Sequence, residues 1–389
     1  MSAQSEKPKK AIYYFELGEQ ALNTKSYKAA LAHFNECLRL EPYYMDAYYS
    51  RAIAKEHLND SKGALLDYNI FLNSKPENTE ALFSRAVIRY EQDQFALARE
   101  DFLKLLKLPP SETNTIYFRQ DRFGAGTDKI FTTQSGGKAT LFNYLGLIEV
   151  KLKKYTKAIE YLDSALRLEP KEPDYLVNRG IANLKLRDTV AAITDYQRAL
   201  AIDPNHSLAI HNLGVLRRAQ GEIQESEKLL DEAIEKNPSL PYPYAERAYF
   251  RLLNKNYREA LEDYDKILSI DKNDEESYLN RGLVKEKLRD YKGAFADYTL
   301  AISLKNDFEK AWLNRANLLV TLNRVNEAVE DYTVAITWYP EYTSAFYNRA
   351  IAYHKLGKKK EACGDLKKAI QLGAKVEQTM ATKICSGGK

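Results

Sequence analysis

The side chains able to do covalent or metal chemistry are few and scattered. His33, His57, His206, His211 and His354 show neither HxxxH nor HExxH spacing, so no single helical face offers a metal ion two imidazoles. Cys37, Cys363 and Cys385 form no CxxC and lie far apart, which indicates neither a zinc site nor a disulfide framework. Gly136-Gly137-Lys138 looks like a piece of a phosphate loop. Such a loop needs glycine five residues before its second glycine and Ser or Thr after the lysine, where this chain has Thr132 and Ala139. No nucleophile elbow is present, and the many carboxylates fall at helix ends and on solvated faces. The expectation is a non-enzymatic chain with no metal and no cofactor.

Two other sets of residues recur at fixed spacing. Arg51, Arg85, Arg179, Arg247, Arg281, Arg315 and Arg349 are each followed 16 residues later by an aspartate: Asp67, Asp101, Asp195, Asp263, Asp297, Asp331 and Asp365. Where the arginine is replaced, by Leu17, Leu145 or Leu213, the aspartate is replaced too, by His33, Tyr161 and Leu229. The pairing predicts an ion pair between two neighbouring helices. The alternative is a basic stripe for an acidic ligand, against which the neutralising aspartates weigh. The second set is Asn178, Asn212, Asn280, Asn314 and Asn348, with Glu246 in the one intermediate place. An amide both donates and accepts, so a row of them can pair with the N–H and C=O of an extended chain whatever its side chains. The bland alternative is an exposed, merely hydrated asparagine.

Both sets follow a period of 34 residues, as in Glu309 to Tyr342, and that period organises the chain. Repeats start near 11, 45 and 79, break off for an insertion at 113–138, and resume at 139, 173, 207, 241, 275, 309 and 343, ending near 376. Each carries two apolar stripes of helical spacing, a short polar break between them, and a Pro or Asp-Lys-Asn stop. Each is thus expected to be an antiparallel helix pair that buries its apolar face only by stacking on its neighbours. Residues 1–10 read as a flexible lead. The insertion has two alternating stretches, Ile116–Arg122 and Lys129–Thr133, around Phe123-Gly124-Ala125-Gly126, which suits a β-hairpin or a long loop. Val376, Met380 and Ile384 predict a capping helix over 374–385, with a frayed tail to 389.

The chain has 389 residues, a net charge of +4, 44% hydrophobic and 29% charged residues, a balance that suits a folded protein. So small a charge gives no reason to expect nucleic acid as a partner, and no apolar run reaches the roughly 18 residues needed to cross a bilayer. The first residues lack a secretory core, which makes the cytoplasm the expected compartment. If the chain begins after a removed signal, it is periplasmic or secreted.

The repeats resemble the tetratricopeptide repeat family. Its pattern is an aromatic at position 4, Leu-Gly at 7–8, Ala at 20, an aromatic at 24, Ala at 27 and Pro at 32. Trp312, Ala316, Ala328, Tyr332, Ala335 and Pro340 follow it, while arginine at position 7 departs from it. The resemblance implies an all-α, right-handed α-solenoid of ten tandem helix pairs, whose first helices line a concave groove. It further implies a protein–protein interaction scaffold binding an extended peptide segment or partner protein there. The asparagine row, at position 6, resembles the inner surface of the tetratricopeptide segment of O-linked N-acetylglucosamine transferase. Tyr49 and Phe83 are candidate aromatic anchors for the partner, or else interhelix packing. Capture of a chaperone's C-terminal carboxylate, known in the family, is not expected. Lys310 is in place, but the last repeat has Asn348 where arginine is needed. The alternative reading is a structural assembly factor that docks through its edges and the insertion.

Overall fold

The computed structural model describes residues 3–109, 116–119, 129–132 and 137–385. Its first unit, ending at Ala209, begins with three helix pairs: α1 (Ala3–Asn23) and α2 (Tyr27–Leu40), α3 (Met45–His57) and α4 (Ser61–Ser74), α5 (Thr79–Glu91) and α6 (Phe95–Lys107). Strands β1 (Ile116–Arg119) and β2 (Lys129–Thr132) follow, then α7 (Gly137–Lys151) with α8 (Tyr155–Leu168) and α9 (Pro173–Lys185) with α10 (Thr189–Ile202). The division between units falls inside α11 (Ser207–Ala219), which pairs with α12 (Ile223–Lys236). The second unit continues with α13 (Pro241–Leu253) and α14 (Tyr257–Ile270), α15 (Glu275–Lys287) and α16 (Tyr291–Leu304), α17 (Glu309–Thr321) and α18 (Val325–Trp338), α19 (Thr343–Lys355) and α20 (Lys359–Gln371). The short α21 (Gln378–Cys385) closes it. The fold is all-α apart from the strand pair.

The same local device turns the chain in every pair. Three residues join the helices, and the middle one has positive φ, from Lys25 (56°) through Asn59, Asp93, Lys153, Arg187, Lys255, Arg289 and Asn323 to Gly221 (85°) and Gly357 (72°). That residue ends the first helix in a Schellman-type turn. In the second pair, Asp60 N donates to Lys55 O and Asn59 N to Glu56 O. The residue after it starts the second helix, and Asp60, Asp188 and Asp290 accept there from the N–H groups of Gly63, Ala191 and Gly293.

The core repeats as well. A glycine or alanine at position 8 of the first helix faces a fully buried ring or leucine at position 24 of the second. Ala52 meets Tyr68, Ala316 meets Tyr332, and Gly282 lies against Tyr298. A Cβ built on Gly282 would stand 2.6 Å from Cε1 of Tyr298, so the missing side chain sets how closely those helices approach. Cys37, fully buried among such residues, has its thiol pushed up to about 11 by burial and, secondarily, by Glu41.

Four features refine or correct the sequence reading. Residues 3–10, expected as a flexible lead, are the helical N-terminal part of α1, in spite of Pro8, which lacks the N–H for a backbone bond. Within the insertion β1 and β2 are antiparallel, with Ile116 opposite Thr132 and Arg119 opposite Lys129. The turn residues Phe123–Gly126 lie outside the described residues. The last helix begins at Gln378 rather than 374, since Gly373 (φ 96°) stops α20 and an irregular segment follows. Finally, Cys363 and Cys385, far apart in sequence, are joined as a disulfide between α20 and α21, with Cα atoms 4.9 Å apart. Ile384, Met380 and Val376 pack there against Ala350, Leu366 and Tyr347. The tail beyond Cys385 lies outside the described residues.

Gly282→Leu should destabilise the second unit by about 1–3 kcal/mol, the usual range for overpacking a filled core, because Tyr298 is enclosed and cannot withdraw. Urea denaturation followed by far-UV circular dichroism measures this, and an unchanged midpoint would refute the close-approach argument.

Candidate functional site

Each of the seven arginines grips its own repeat's aspartate with a two-pronged fork. In Arg281 the Nε and Nη2 groups donate to Asp297 at 2.9 and 2.7 Å, and the other six repeat the geometry at 2.6–3.2 Å. The remaining Nη1 reaches back to the second helix of the preceding pair. Its acceptors are Asn35, Asn69, Asp163, Asp231, Asp265, Thr299 and Thr333, in order, at 2.5–3.1 Å. An aromatic at position 4 lies under five of the guanidinium groups, most closely Trp312 beneath Arg315, at 4.8 Å. A further donor completes several aspartates: Lys55, Arg89, Asn183, Arg251 and Lys285. The arginines are therefore occupied within the fold. In the three exceptional repeats apolar or ring contacts take over, as where Tyr161 stacks on Phe142 and His33 on Tyr14.

The five asparagines of position 6 are not equivalent. Asn178 donates to Asn143 Oδ1 at 2.8 Å, and Asn348 donates at 2.9 Å to Asn317 Oδ1, which also accepts from the Tyr332 hydroxyl. Asn212 Nδ2 is buried with no acceptor among the described residues. Asn280 and Asn314, half-buried at the same place in α15 and α17, make no side-chain hydrogen bond among the described residues. Tyr49 and Phe83 stand in the first unit, half-buried against its core. Tyr49 lies against Phe71 and donates to Glu80, while Phe83 meets Phe102 and Tyr144 edge-on. More open aromatics, which the sequence reading passed over, occur on α13. Tyr242 and Tyr249 are 46% and 48% exposed, beside the Glu246–Arg218 ion pair at 2.7 Å. Their only signal in the sequence is a tyrosine at positions 2 and 9 of one repeat.

The histidines serve the fold. His206 accepts from Ala209 N at the start of α11 and contacts Asp174 through Nε2 at 2.8 Å, and His57 stacks on Tyr27. His211 is 7% exposed, and burial, aided by Arg218, pushes its imidazole down to about 4. Among the described residues no group of three or more His, Cys, Asp or Glu could hold a metal, and no helix is long and apolar enough to cross a membrane.

Two outcomes follow from this geometry. Arg281→Leu leaves the 2%-exposed carboxylate of Asp297 with Lys285 as its one remaining cation and should cost about 1.5–3 kcal/mol, the range for a lost hydrogen bond to a charged group. The double variant Arg281→Leu/Asp297→Leu, which copies the natural Leu213/Leu229 pair, should recover most of that in urea denaturation. Because His211 stays neutral in the folded chain while an exposed imidazole protonates near pH 6.5, the folded state is fully favoured above pH 6.5 and loses on the order of 3 kcal/mol as pH falls to about 4. His211→Leu should flatten that part of the stability–pH curve, and an unaltered curve would show that the imidazole titrates normally.

Models of the tetratricopeptide repeat match residues 49–113, 145–207 and 313–377, and two further models of that repeat match 183–246 and 275–308. Tetratricopeptide repeat protein 16 of Homo sapiens is 31% identical over 121 residues, 29% of this chain and 14% of that protein. The heat-shock protein cognate co-chaperone sgt12 of Aspergillus fumigatus is 28% identical over 117 residues, 30% of this chain and 32% of that one. The aligned parts thus span under a third of these relatives' lengths. Among solved structures, YrrB, described as a repeat protein with an unusual peptide-binding site, aligns with a TM-score of 0.42 at 20% identity, over 48% of this chain and 96% of its own. MamA aligns at 0.39 and 19%, over 41% and 93%. With helix pairs of matching length in register with these models along most of its length, the chain belongs to the tetratricopeptide repeat family, a family of protein–protein interaction scaffolds.

Proposed function

We propose that the second unit binds an extended peptide segment of a partner protein across its first helices. The observation that carries this is the pair of amides at Asn280 and Asn314. They sit one repeat apart, half-buried, and without an intramolecular hydrogen bond among the described residues, while Asn178 and Asn348 are spent on neighbouring helices. An amide that is partly desolvated and unpaired gains from a ligand's backbone N–H and C=O, and two at one-repeat spacing hold a chain with little preference for its side chains. Tyr242 and Tyr249 on the neighbouring α13 offer the apolar contact that such a segment needs for affinity. In the first unit the aromatic surface around Tyr49 and Phe83 is a secondary contact. Its rings are already packed on the core, so only their outer edges serve a partner.

Affinity capture from native cells, with the variant Asn280→Ala/Asn314→Ala alongside the parent chain, tests the reading. Neither half-buried amide gives up an intramolecular hydrogen bond on truncation, so stability should shift by no more than about 0.5 kcal/mol and melting should be unchanged while the captured partner is lost. Asn348→Ala, which breaks the bond to Asn317, should instead lower the melting temperature. Retention of every partner by the double variant would sink the proposal.

A further inference from the structure

Away from the asparagine face, in the turn that ends the repeat 309–342, the second unit has an open pocket of about 520 Å³. Glu309, Trp338, Tyr339, Pro340, Glu341 and Tyr342 line it. Trp338 and Tyr339 are 51% and 45% exposed, and Tyr342 is half-buried against the pocket wall. Burial and, after it, the nearby Glu309 carboxylate push the Tyr342 hydroxyl up to about 12. Among the described residues neither Glu309 nor Glu341 has an ion-pair or hydrogen-bond partner for its side chain, and no cation lies over the three rings. Elsewhere this chain repeatedly sets cations on rings, as with Arg315 over Trp312.

The preceding repeat shows what such a niche holds. There Glu275, Lys305 and Phe308 occupy the positions of Glu309, Tyr339 and Tyr342, 34 residues earlier. The Lys305 ammonium stands 3.7 Å from Glu275 and 5.3 Å from the centre of the Phe308 ring. An acid and a ring thus share one internal ammonium. In 309–342 an acid and a ring are kept as Glu309 and Tyr342, Glu341 stands where the preceding repeat has Asp307, a tryptophan replaces Leu304, and the lysine is replaced by Tyr339. The result is a niche with negative charge and aromatic faces and no cation of its own, which is the chemistry that selects an alkylammonium ion.

We propose that this pocket binds an alkylammonium group, the side chain of a lysine or methylated lysine on a partner, in the place that Lys305 fills one repeat earlier. The site does not depend on the asparagine face, and the two can fail separately. The test uses the full chain with 15N-labelled tryptophan, whose two indole signals are assigned with Trp338→Phe. Trp312 serves as internal control, its Nε1 being bonded to Asn306 O. Tetramethylammonium and n-butylammonium should each shift the Trp338 signal saturably, with Kd of roughly 1–10 mM, and leave Trp312 in place. The neutral analogues neopentyl alcohol and n-butanol should not. Tighter binding of tetramethylammonium assigns the site to methylated lysine, and tighter binding of n-butylammonium to the unmodified residue. Glu309→Gln/Glu341→Gln should weaken binding at least about tenfold. Tyr339→Lys, which restores the tethered ammonium of the preceding repeat, should abolish it with melting unchanged or raised. No saturable shift at about 100 mM, equal shifts by the neutral analogues, or undiminished binding in both variants would overturn the proposal.

Discussion

The recurring guanidinium fork is the interaction on which the stack depends. A helix pair by itself is held by ring-against-glycine packing, but packing alone is tolerant of sliding. The arginine at position 7 removes that tolerance, because its donors are planar and fixed in angle. Two of them fix the pair, through its own aspartate, and the third fixes the distance to the pair before. The aspartate is nearly inaccessible to water, so its charge is tolerable only while the fork, helped in several repeats by a further donor, holds it. The device therefore contributes more to a defined arrangement than to net stability. The pairs at Leu17/His33, Leu145/Tyr161 and Leu213/Leu229 show that apolar contact can stand in for it.

That arrangement decides which side chains remain for a partner. With every position-7 arginine engaged and the position-4 rings lying beneath several of them, the charged residues that look like a basic stripe have no capacity left for an acidic ligand. The amides of α15 and α17 are a different case: held at half-burial by rigid helices, partly stripped of water, and not consumed internally. The turn at 338–342 is different again. There the turn departs from the preceding repeat by putting Trp338 in place of Leu304 and Tyr339 in place of Lys305, and it lacks the cation that its neighbour supplies. Both proposed sites thus lie where the repeat's own interactions have been withdrawn.

The closing helix illustrates a related constraint. Among the described residues no further pair stacks on α19 and α20, and α21 covers their apolar side with Ile384 and Met380. The disulfide holds so short a helix, eight residues, in place, which its own backbone bonds could not do.

The 34-residue period, the helix pairs, the small-against-large core and the coupling of arginine to aspartate were all legible in the residue order. They are legible because they are local: each sets a particular residue type at a fixed offset, repeated in seven copies for the arginine and aspartate and in ten for the period. The asparagine row was legible as a row, but not the difference between Asn280 or Asn314, left open, and Asn178 or Asn348, bonded to neighbours. Nor were the second-helix acceptors of the arginine Nη1 groups. Asn, Asp and Thr all serve there, since an N–H donor asks only for an oxygen in place, and a requirement that three residue types can meet leaves no pattern to read. The Cys363–Cys385 bond and the gathering of Glu309 with Trp338 and Tyr342 depend on distances between helices and turns that are remote in sequence. Residue order determined what each repeat is made of. Only the packing of one repeat on the next decided which of its polar groups were used up and which were left facing out, because hydrogen bonds and ion pairs are settled by tenths of an ångström that no spacing rule contains.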